Sequence, residues 1–357
     1  MDITLLAHLH GYGGAEKSIV LLANQLVKRG HKVTLVTVTV NNNKYKIDEN
    51  VSIYFVPDEG KNKLAVVCHR FSELRKYFKN HSCDLAISFW FQIGLFAMII
   101  SKFEGFKVIY SERGDPGDVE YSGLTGIIRT MLLPGFDGFV FQTKGARDFF
   151  SNRIKNKSCV IHNAIMIDEN VVDCSIKKEK YIVGMGRLHR QKNFRLLIDA
   201  FSLVQKEFAD YKLIIYGDGE LRNSLQKLID SYSLTDRIIL AGNTNEPYKK
   251  MQEAMLFVLS SDFEGMPNVL MEAMALGLPV ISTDCSPGGA AELIENNVNG
   301  LLVPCNNVEL LAAAIRKLIS DYSVAIEYGV KAKEIVKTHS LNVIYDRWDE
   351  FIKEIIK

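Results

Sequence analysis

The stretch ITLLAHLHGYGGAEKSIVLLANQLVKRGHKVTLVTV, from Ile3 to Val38, decides the fold. A helix that joins two consecutive strands through short turns is typical of a parallel α/β sheet. The apolar residues and glycines of this stretch predict a buried strand, a glycine-rich turn, a helix, a helix-ending glycine and a second strand, which are in order Ile3 to Leu9, His10 to Gly14, Ala15 to Arg29, Gly30 and Lys32 to Val38.

The same alternation of strands and helices continues along the chain, which predicts an α/β fold with doubly wound parallel sheets. Between two such series, residues 164–180 lose the periodicity and gain charge, so we expect an interdomain linker there. Further predicted strands of the first series are Val51 to Val56, Asp84 to Phe89, Lys107 to Ser111, Gly138 to Phe141 and Cys159 to Ile161. Those of the second series are Tyr181 to Met185, Lys212 to Tyr216, Arg237 to Ala241, Met255 to Leu259 and Pro279 to Ser282.

These patterns predict two domains and a terminal helix. We expect a first domain over residues 1–172, a second over residues 173–340 and a final helix over residues 341–357. A chain of 357 residues, 47% of them hydrophobic, is long enough for two domains with cores of their own. The final helix has one apolar face, and the sequence does not identify the surface that this face covers.

The composition disfavours several classes of protein. The net charge is +1, whereas nucleic-acid-binding domains are normally strongly basic, so no nucleic-acid partner is expected. The six cysteines form no C-x-x-C pair, which disfavours a zinc site or a disulfide framework and fits a reducing cytosol. The most apolar stretch, Phe89 to Ile100, is too short to span a bilayer, and the N-terminus lacks the pattern of a signal peptide. We therefore expect a cytoplasmic protein that contacts a membrane peripherally if it does so at all.

The glycine-rich turn HGYGGAEK, His10 to Lys17, lies between the first predicted strand and the first predicted helix. Gly13 and Gly14 allow the backbone to approach a ligand closely, although a plain tight turn explains the pattern equally well. The turn is not a complete G-x-G-x-x-G, and no acidic residue ends the second strand to bind a ribose. Dehydrogenase chemistry is therefore disfavoured.

A second strand-to-helix turn, GMGRLHRQKN from Gly184 to Asn193, carries positive charge. Arg187 and Lys192 are spaced so that both could converge on one anion at the carboxyl end of the strand, the first as a planar fork and the second as a point charge. A solvated basic loop is the alternative. Three further turns after predicted strands are weak signals alone: Gly217 to Arg222, Ala241 to Asn243 and Asp284 to Leu293.

Two glutamates stand eight residues apart in FEGMPNVLMEAMALGLPV, Phe263 to Val280. Glu264 lies just before an apolar helical segment and Glu272 lies inside it, so the two carboxylates could hold the two ends of a polyhydroxyl ligand such as a sugar nucleotide. A helix-terminal charge and a surface residue are the alternative. The chain has no D-x-D pair to hold a metal–diphosphate complex, so we expect no metal and no cofactor.

Together these segments resemble a known family. GGAE, GRLHRQKN, GDGELR, the E-x7-E from Glu264 to Glu272, ALGLPVISTD and PGGAAELI are similar in order and spacing to the family 4 retaining glycosyltransferases of the GT-B fold. The resemblance covers essentially the whole chain, and its GRL-x3-K and E-x7-E elements are specific. It implies two Rossmann-like domains that face a cleft, with the C-terminal helix returning to the first domain.

The resemblance also implies roles for individual residues. Arg187 and Lys192 would bind the donor diphosphate and stabilise the leaving nucleotide, and Glu264 would contact hydroxyls of the donor sugar as the third catalytic residue. Glu272 would hold the ribose hydroxyls. The first-domain glycines match positions near the diphosphate and the acceptor, and the 242–243 pair matches a loop near the nucleobase. The other implied donor-binding residues are Gly13, Gly14, Gly186, Gly242, Asn243, Gly265, Met266, Pro267, Asn268 and Val269.

One position departs from the family pattern. Many relatives place a histidine after the strand that here ends in YSERGDP, Tyr110 to Pro116, whereas this chain has Glu112 followed by Arg113. Arginine suits phosphate or carboxylate, so we expect Glu112 and Arg113 to contact the acceptor.

The function that the resemblance implies is a metal-independent, retaining transfer of a hexose or N-acetylhexosamine from a UDP-sugar to a glycan, with UDP chosen on family frequency. The expected acceptor is a lipid-diphosphate-linked oligosaccharide of bacterial surface polysaccharide or glycoprotein synthesis. Residues 61–81 and 123–136 could rest on an anionic membrane face, although solvated or buried helices explain their composition equally well. Two alternatives are a nucleotide-sugar epimerase of GT-B fold and an inactive sugar-nucleotide-binding partner of another transferase.

Overall fold

The computed structural model of the protein describes residues 1–9, 13–38, 45–57, 62–117, 123–167 and 175–357, except for the side chains of Leu124 and Thr125. These residues form two compact units, of which unit 1 comprises Met1–Asn163 with Asn342–Lys357 and unit 2 comprises Ala164–Leu341. The chain passes from unit 1 to unit 2 after Asn163, earlier than the predicted boundary at residue 172. Part of the predicted linker, residues 168–174, lies outside the described residues.

All strands of the described residues belong to two parallel sheets. The sheet of unit 1 has the order β3-β2-β1-β4-β5-β6-β7, and the sheet of unit 2 has the order β10-β9-β8-β11-β12-β13. The predicted α/β fold with doubly wound parallel sheets is therefore confirmed. The strands are β1 (Asp2–Ala7), β2 (Lys32–Thr37), β3 (Ser52–Phe55), β4 (Leu85–Ser88), β5 (Lys107–Glu112), β6 (Gly138–Phe141), β7 (Ser158–Val160), β8 (Tyr181–Met185), β9 (Lys212–Tyr216), β10 (Ile238–Gly242), β11 (Leu256–Leu259), β12 (Val280–Asp284) and β13 (Leu301–Pro304).

Helices connect most of the successive strands. Two 3-10 turns, Leu133–Gly135 and Arg190–Lys192, supplement them. The helices are α1 (Gly14–Lys28), α2 (Lys63–Asn80), α3 (Phe91–Glu104), α4 (Gly123–Leu132), α5 (Lys144–Asp148), α6 (Asn152–Lys155), α7 (Phe194–Val204), α8 (Arg222–Ser231), α9 (Pro247–Glu253), α10 (Asn268–Ala275), α11 (Gly289–Leu293), α12 (Val308–Ser320), α13 (Tyr322–Ala332), α14 (Ile335–Thr338) and α15 (Leu341–Ile356).

Strand β13 is absent from the sequence-based prediction. It pairs in parallel with β12, with Ile281 opposite Leu301 and Thr283 opposite Val303, and forms the edge of the unit 2 sheet. Leu301 and Val303 are buried against the core, which explains why this edge strand forms. This segment, LLVP, ends in a proline, which argues against a strand in a sequence-based reading, and the prediction overlooked it.

The apolar face of α15 packs within unit 1. Trp348 is buried, and its ring stacks on that of Phe89 with the centroids 6.3 Å apart. On the helix surface, Arg29 forms an ion pair of 2.7 Å with Asp346, and Nε2 of His31 lies 3.0 Å from a carboxylate oxygen of Asp349. These contacts identify the surface that the sequence left open, and they join the end of the chain to the end of α1.

Each sheet has one point where the winding direction reverses. In unit 1 the reversal lies between β1 and β4, and in unit 2 it lies between β8 and β11. Loops that leave neighbouring strands in opposite directions open a crevice at the carboxyl ends of the strands, where ligands of open α/β sheets bind. The loops after β8 and β11 carry the basic turn and the first of the paired glutamates.

Among the described residues, no helix is both long enough and apolar enough to cross a bilayer.

Helix α4 exposes Ile127, Ile128 and Met131, of which Met131 is 75% exposed. Arg129 of the same helix is buried at 4% exposure and pairs with Glu112. The basic residue of this apolar stretch is therefore paired inside unit 1 and does not contribute a surface charge.

Candidate active site

The basic turn of unit 2 leaves the carboxyl end of β8 at the reversal point of the sheet. Arg187 is exposed, and its guanidinium has no hydrogen bond or ion pair with any residue that the structure describes. Lys192 ends the 3-10 turn, and Asn193 follows it with a φ of 40°, a left-handed conformation that asparagine tolerates. The side chain of Asn193 then caps α7 by accepting from the N–H of Leu196 at 3.2 Å. The reversal of the backbone at Asn193 ends the turn directly after Lys192.

Glu264 lies in the loop after β11, and its carboxylate contacts the ammonium group of Lys192. The side chain of Glu264 is 9% exposed and that of Lys192 is 16% exposed. Ser261 donates its hydroxyl to the same carboxylate oxygen, Oε1, at 2.8 Å, and Nε2 of Gln191 donates to Oε2 at 3.4 Å. The sequence predicts that Lys192 and Arg187 could converge on one anion. In the structure, the ammonium group of Lys192 neutralises the carboxylate of Glu264.

Direct bonds join the two loops that carry this pair. The amide of Asn193 donates to the carboxylate of Asp262 at 2.6 Å, and the N–H of Asp262 donates to the carbonyl of Gln191 at 2.9 Å. The hydroxyl of Ser260 donates to the carbonyl of Lys192 at 2.9 Å. These three bonds fix the position of the β8 loop relative to the β11 loop, so the ion pair rests on a rigid frame.

Strand β12 and the loop that follows it support the glutamate. The hydroxyl of Thr283 donates to the carbonyl of Ser261 at 2.6 Å, and the N–H of Glu264 donates to the carbonyl of Ser286 at 2.9 Å. A Cβ on Gly289 would lie 1.8 Å from the carbonyl oxygen of Gly265, so no other residue fits there. The second glycine of the 284–293 turn therefore serves close packing against the Glu264 loop.

Helix α10 follows this loop and begins at Asn268, after Pro267. Pro267 gives the helix no side-chain cap, so its first N–H groups are left to other acceptors. Met266 and Pro267 are buried, whereas Asn268 and Val269 are half-buried.

Glu272 lies one helical turn into α10 and is half-buried. Its Oε1 accepts a hydrogen bond from the hydroxyl of Tyr248, which lies on α9, at 3.4 Å. The two glutamates of the E-x7-E are thus both held by neighbouring side chains, Glu264 in the loop and Glu272 on the helix.

Two predicted glycines occupy positions that favour glycine. Gly186 has a φ of 154°, and a Cβ there would lie 3.0 Å from Cε of Lys192. Gly242 has a φ of 75° and ends β10, where its carbonyl accepts from the N–H of Gly217 at 2.8 Å. Asn243 follows it and is exposed. Gly242 and Asn243 therefore lie at the carboxyl edge of the same sheet, two strands away from Gly186.

A buried thiol lies beside the carboxylate. Cys285 is 2% exposed, and burial, followed by the negative charge of Glu264, raises the pKa of this thiol from 9.0 to about 12. The thiol is therefore neutral near pH 7.

Among the described residues, no group of three or more histidine, cysteine, aspartate or glutamate side chains is arranged to hold a metal ion.

In unit 1, Gly13 and Gly14 begin α1 at the reversal point between β1 and β4. Gly13 is the N-cap residue and provides no side-chain cap, and Gly14 is the first residue of the helix. A Cβ on Gly13 would lie 3.5 Å from Cδ of Glu16, which is buried. A carboxylate therefore lies against the opening of this helix. The first three residues of the turn, His10 to Tyr12, lie outside the described residues.

The structure places Glu112 and Arg113 together at the carboxyl end of β5 in unit 1. Glu112 is 3% exposed, and its carboxylate accepts from the guanidinium of Arg129, the hydroxyl of Tyr110 and the N–H groups of Arg113 and Gly114. Four donors from unit 1 thus already contact the carboxylate that the sequence predicted to bind the acceptor.

Arg113 lies against aromatic rings. Its guanidinium is 3.8 Å from the ring centroid of Phe89 and 5.8 Å from that of Trp348, and it donates to Oδ1 of Asn163 at 3.0 Å. Burial lowers the pKa of Arg113 to about 10. In this conformation the arginine joins the end of β5 to α15.

The sequence analysis did not identify Ser261 and Gln191, which donate to the carboxylate of Glu264, or Thr283, which donates to the carbonyl of Ser261. Serine, glutamine and threonine are common in loops and carry no motif of their own. Ser261 does stand three residues before Glu264 and two residues after the predicted strand that ends at Leu259, which places it in the same loop. Its contact with Oε1 depends on the turn of that loop, which the sequence does not specify.

Two family profiles match the chain in tandem. The profile described as Glycosyltransferase Family 4 matches residues 12–169, and the profile described as Glycosyl transferases group 1 matches residues 168–335. The chain belongs to glycosyltransferase family 4. The resemblance seen in the motifs is thereby confirmed, and the protein is a glycosyltransferase.

Similar glycosyltransferases occur in Campylobacter jejuni. A GalNAc-alpha-(1->4)-GalNAc-alpha-(1->3)-diNAcBac-PP-undecaprenol alpha-1,4-N-acetyl-D-galactosaminyltransferase is 27% identical over 362 residues, which cover 99% of each chain. An N-acetylgalactosamine-N,N'-diacetylbacillosaminyl-diphospho-undecaprenol 4-alpha-N-acetylgalactosaminyltransferase is 34% identical over 215 residues, or 58% of each chain.

Solved structures share the fold of this family 4 glycosyltransferase. Anabaena HepE in complex with UDP aligns with a TM-score of 0.82 at 19% identity, over 99% of this chain and 100% of HepE. A Staphylococcus aureus TarM mutant in complex with fondaparinux, alpha-GlcNAc-glycerol and UDP aligns with a TM-score of 0.81 at 16% identity, over 98% of this chain and 99% of TarM. The predicted GT-B fold is thus confirmed.

Proposed function

We propose that the protein is a retaining glycosyltransferase that moves a hexose or N-acetylhexosamine from a UDP-sugar to a glycan acceptor. One observation carries the proposal. Lys192 and Glu264 meet at the reversal point of the unit 2 sheet, and the exposed Arg187 stands in the same strand-to-helix turn as Lys192. Two cations and one carboxylate at the opening of a parallel sheet suit a ligand with both phosphates and hydroxyl groups.

The two cations address the main electrostatic need of the reaction. Cleavage of a sugar–diphosphate bond places negative charge on the departing phosphate and positive charge on the sugar ring. Preorganised positive charge at the phosphate therefore lowers the barrier. Arg187 would bind the diphosphate as a planar fork and Lys192 as a point charge, and we propose that no metal is required.

The carboxylates of Glu264 and Glu272 would accept hydrogen bonds from the hydroxyl groups of the donor. Glu264 would accept from hydroxyls of the transferred sugar, next to the backbone of residues 265–269, and Glu272 would accept from the ribose. We propose attack from the face that the phosphate leaves, with the leaving phosphate taking the proton of the acceptor. Among the side chains around Glu264 we therefore assign no separate general base.

The choice of UDP and of a lipid-linked acceptor draws on the relatives. HepE was solved in complexes with UDP and with UDP-glucose, and the TarM mutant in a complex that includes UDP. Both Campylobacter relatives are named for acceptors on undecaprenyl diphosphate. We therefore propose a UDP-sugar donor and a lipid-diphosphate-linked glycan of bacterial surface polysaccharide or glycoprotein synthesis.

A lipid-linked acceptor would place the enzyme at the cytoplasmic face of an anionic membrane. The exposed face of α4, with Ile127, Ile128 and Met131, is the apolar surface that we propose for this contact. Lys76 and Lys79 of α2 are exposed in the same unit and could meet anionic headgroups. Sedimentation with vesicles of phosphatidylglycerol should therefore exceed that with phosphatidylcholine, and a Met131→Ser variant should reduce it.

Calorimetric titration with UDP, GDP and ADP tests the donor class. We expect UDP to bind most tightly, and tighter binding of GDP or ADP would refute the UDP assignment. Lys192→Ala should lose about 100- to 1,000-fold in kcat for transfer from the UDP-sugar. Glu264→Gln should keep UDP affinity and lose transfer. Arg190→Ala is the matched control, because Arg190 is an exposed cation in the same 3-10 turn as Lys192.

A further inference from the structure

We propose that Ser261 and Gln191 are positioning residues that hold the Glu264 carboxylate in place when the donor draws Lys192 toward its diphosphate. This inference rests on the proposed donor site, and it assigns a role to two residues whose identity the GRL-x3-K and E-x7-E patterns do not specify. Neither residue is charged, and neither is expected to touch the phosphates.

The first step concerns the charge of Lys192. Lys192 carries a single positive charge. In the structure this charge forms an ion pair with Glu264, whose side chain is 9% exposed. A diphosphate that enters beside Arg187 competes with Glu264 for that charge. The carboxylate is anchored by its own backbone in a loop, so without other donors it would be left buried and free to rotate once Lys192 turns toward a phosphate.

The second step concerns the remaining donors to the carboxylate. The hydroxyl of Ser261 donates to Oε1 at 2.8 Å, and the amide of Gln191 donates to Oε2 at 3.4 Å and to the carbonyl of Phe263 at 3.1 Å. One neutral donor is thus available for each oxygen. Both bonds can persist when Lys192 leaves, and they keep the plane of the carboxylate fixed for the hydroxyls of the sugar.

The third step concerns the rigidity of these donors. Ser261 is fully buried, and its carbonyl accepts from the hydroxyl of Thr283 at 2.6 Å. The carbonyl of Gln191 accepts from the N–H of Asp262 at 2.9 Å. The backbones of both donors are therefore fixed before the donor substrate arrives, as a preorganised site requires.

The test separates sugar recognition from nucleotide recognition. Ser261→Ala should leave the affinity for UDP unchanged, because UDP lacks the sugar whose hydroxyls Glu264 would bind. It should lower the kcat of transfer from the UDP-sugar about 10- to 100-fold, the range expected for one hydrogen bond to a charged group. Ser282→Ala is the matched control, because Ser282 is also buried in unit 2 and its hydroxyl donates to the carbonyl of Thr283 at 3.1 Å rather than to the carboxylate.

Wild-type kcat in Ser261→Ala would overturn the proposal, as would an equal loss of UDP affinity and kcat. Gln191→Ala provides the same comparison at a half-buried position if Ser261→Ala does not fold, and it should show the same split between UDP affinity and kcat. The wild-type measurements decide the proposed function separately. If the wild-type chain binds UDP and transfers sugar, a normal Ser261→Ala enzyme refutes the positioning role alone, whereas a wild-type chain that does neither refutes the donor site itself.

Discussion

The amide of Asn193 donates a hydrogen bond of 2.6 Å to the carboxylate of Asp262, and this bond is one of the bonds that join the two loops of the candidate site. The two residues follow β8 and β11, the strands on either side of the reversal point. Asn193 also caps α7 and holds a φ of 40°. Asn193 therefore caps α7, ends the basic turn and helps to fix the loops that carry Lys192 and Glu264.

The first prediction concerns the stability of this junction. Asn193→Ala should destabilise unit 2 by about 1–3 kcal/mol, because alanine loses the cap and disfavours the left-handed backbone. Asn193→Gly should cost less, since glycine adopts this backbone without strain. Hydrogen exchange of α7, followed by mass spectrometry, measures the loss. Equal protection in the alanine variant and the wild type would contradict the prediction.

The second prediction concerns the room that Gly186 leaves for Lys192. Gly186→Ala should lower transfer about 10- to 100-fold, because the new methyl group lies against the lysine side chain and moves its ammonium group. Gly30→Ala is the control, since Gly30 has a φ of 81° and a Cβ added there would have no atom within 4 Å. Turnover of the UDP-sugar should fall in the first variant and stay normal in the second. Equal turnover in both would rule out crowding of Lys192.

The third prediction concerns the buried pair of Glu112 and Arg129, which are 3% and 4% exposed. Arg129→Met should destabilise unit 1 by about 3–5 kcal/mol, because it leaves a buried carboxylate without its cation. The double variant Glu112→Gln with Arg129→Met should recover most of that loss. Urea unfolding followed by tryptophan fluorescence reports on unit 1, since Trp90 and Trp348 are the two tryptophans of the chain and both lie there.

Arg153→Met is the control for this series, because Arg153 is an exposed arginine of unit 1. Its effect should stay within about 0.5 kcal/mol. If the double variant were as unstable as Arg129→Met alone, the unpaired carboxylate would not be the cause of the loss.

The fourth prediction concerns the thiol of Cys285, whose pKa is raised to about 12 by burial and then by the charge of Glu264. The thiolate is the form that reacts, so alkylation at pH 8 should label the exposed Cys68 first and Cys285 only after unfolding. The folded state keeps this proton to a higher pH than the unfolded state does. The corresponding stability is therefore present below about pH 9 and is lost as the pH rises toward 12.

Peptide mass spectrometry of the alkylated chain identifies the labelled cysteines. Comparison with a Cys285→Ala variant isolates the pH dependence, since that variant should lose less stability between pH 9 and 12. Rapid labelling of Cys285 in the folded wild type at pH 8 would show that the thiol is accessible and ionised, against this prediction.

The sequence was sufficient for the fold because its apolar runs and glycine turns are local signals. The strands Gly138–Phe141, Tyr181–Met185 and Lys212–Tyr216 were predicted to the residue. The partner of α15 could not be predicted in this way, because helical spacing identifies an apolar face and says nothing about distant residues such as Phe89.

For the candidate site too, the sequence identifies single residues but not the contacts between distant ones. Arg187, Lys192, Glu264 and Glu272 stand out as charged residues in turns and in an apolar helix. The contact between Lys192 and Glu264 joins positions 72 residues apart and depends on the order of the strands in the sheet. Ser261 acts through one hydrogen bond that a loop conformation creates, and no periodic pattern encodes such a bond.

The chain enters unit 2 at Ala164, leaves it after Leu341 and then supplies Asn342–Lys357 to unit 1. The ribosome therefore makes all of unit 2 before the last helix of unit 1 exists. Synthesis of unit 2 takes roughly 10 to 35 seconds at about 5–20 residues per second. During that interval Phe89 and Arg113 lack Trp348, so the part of the molecule that is made first is completed last.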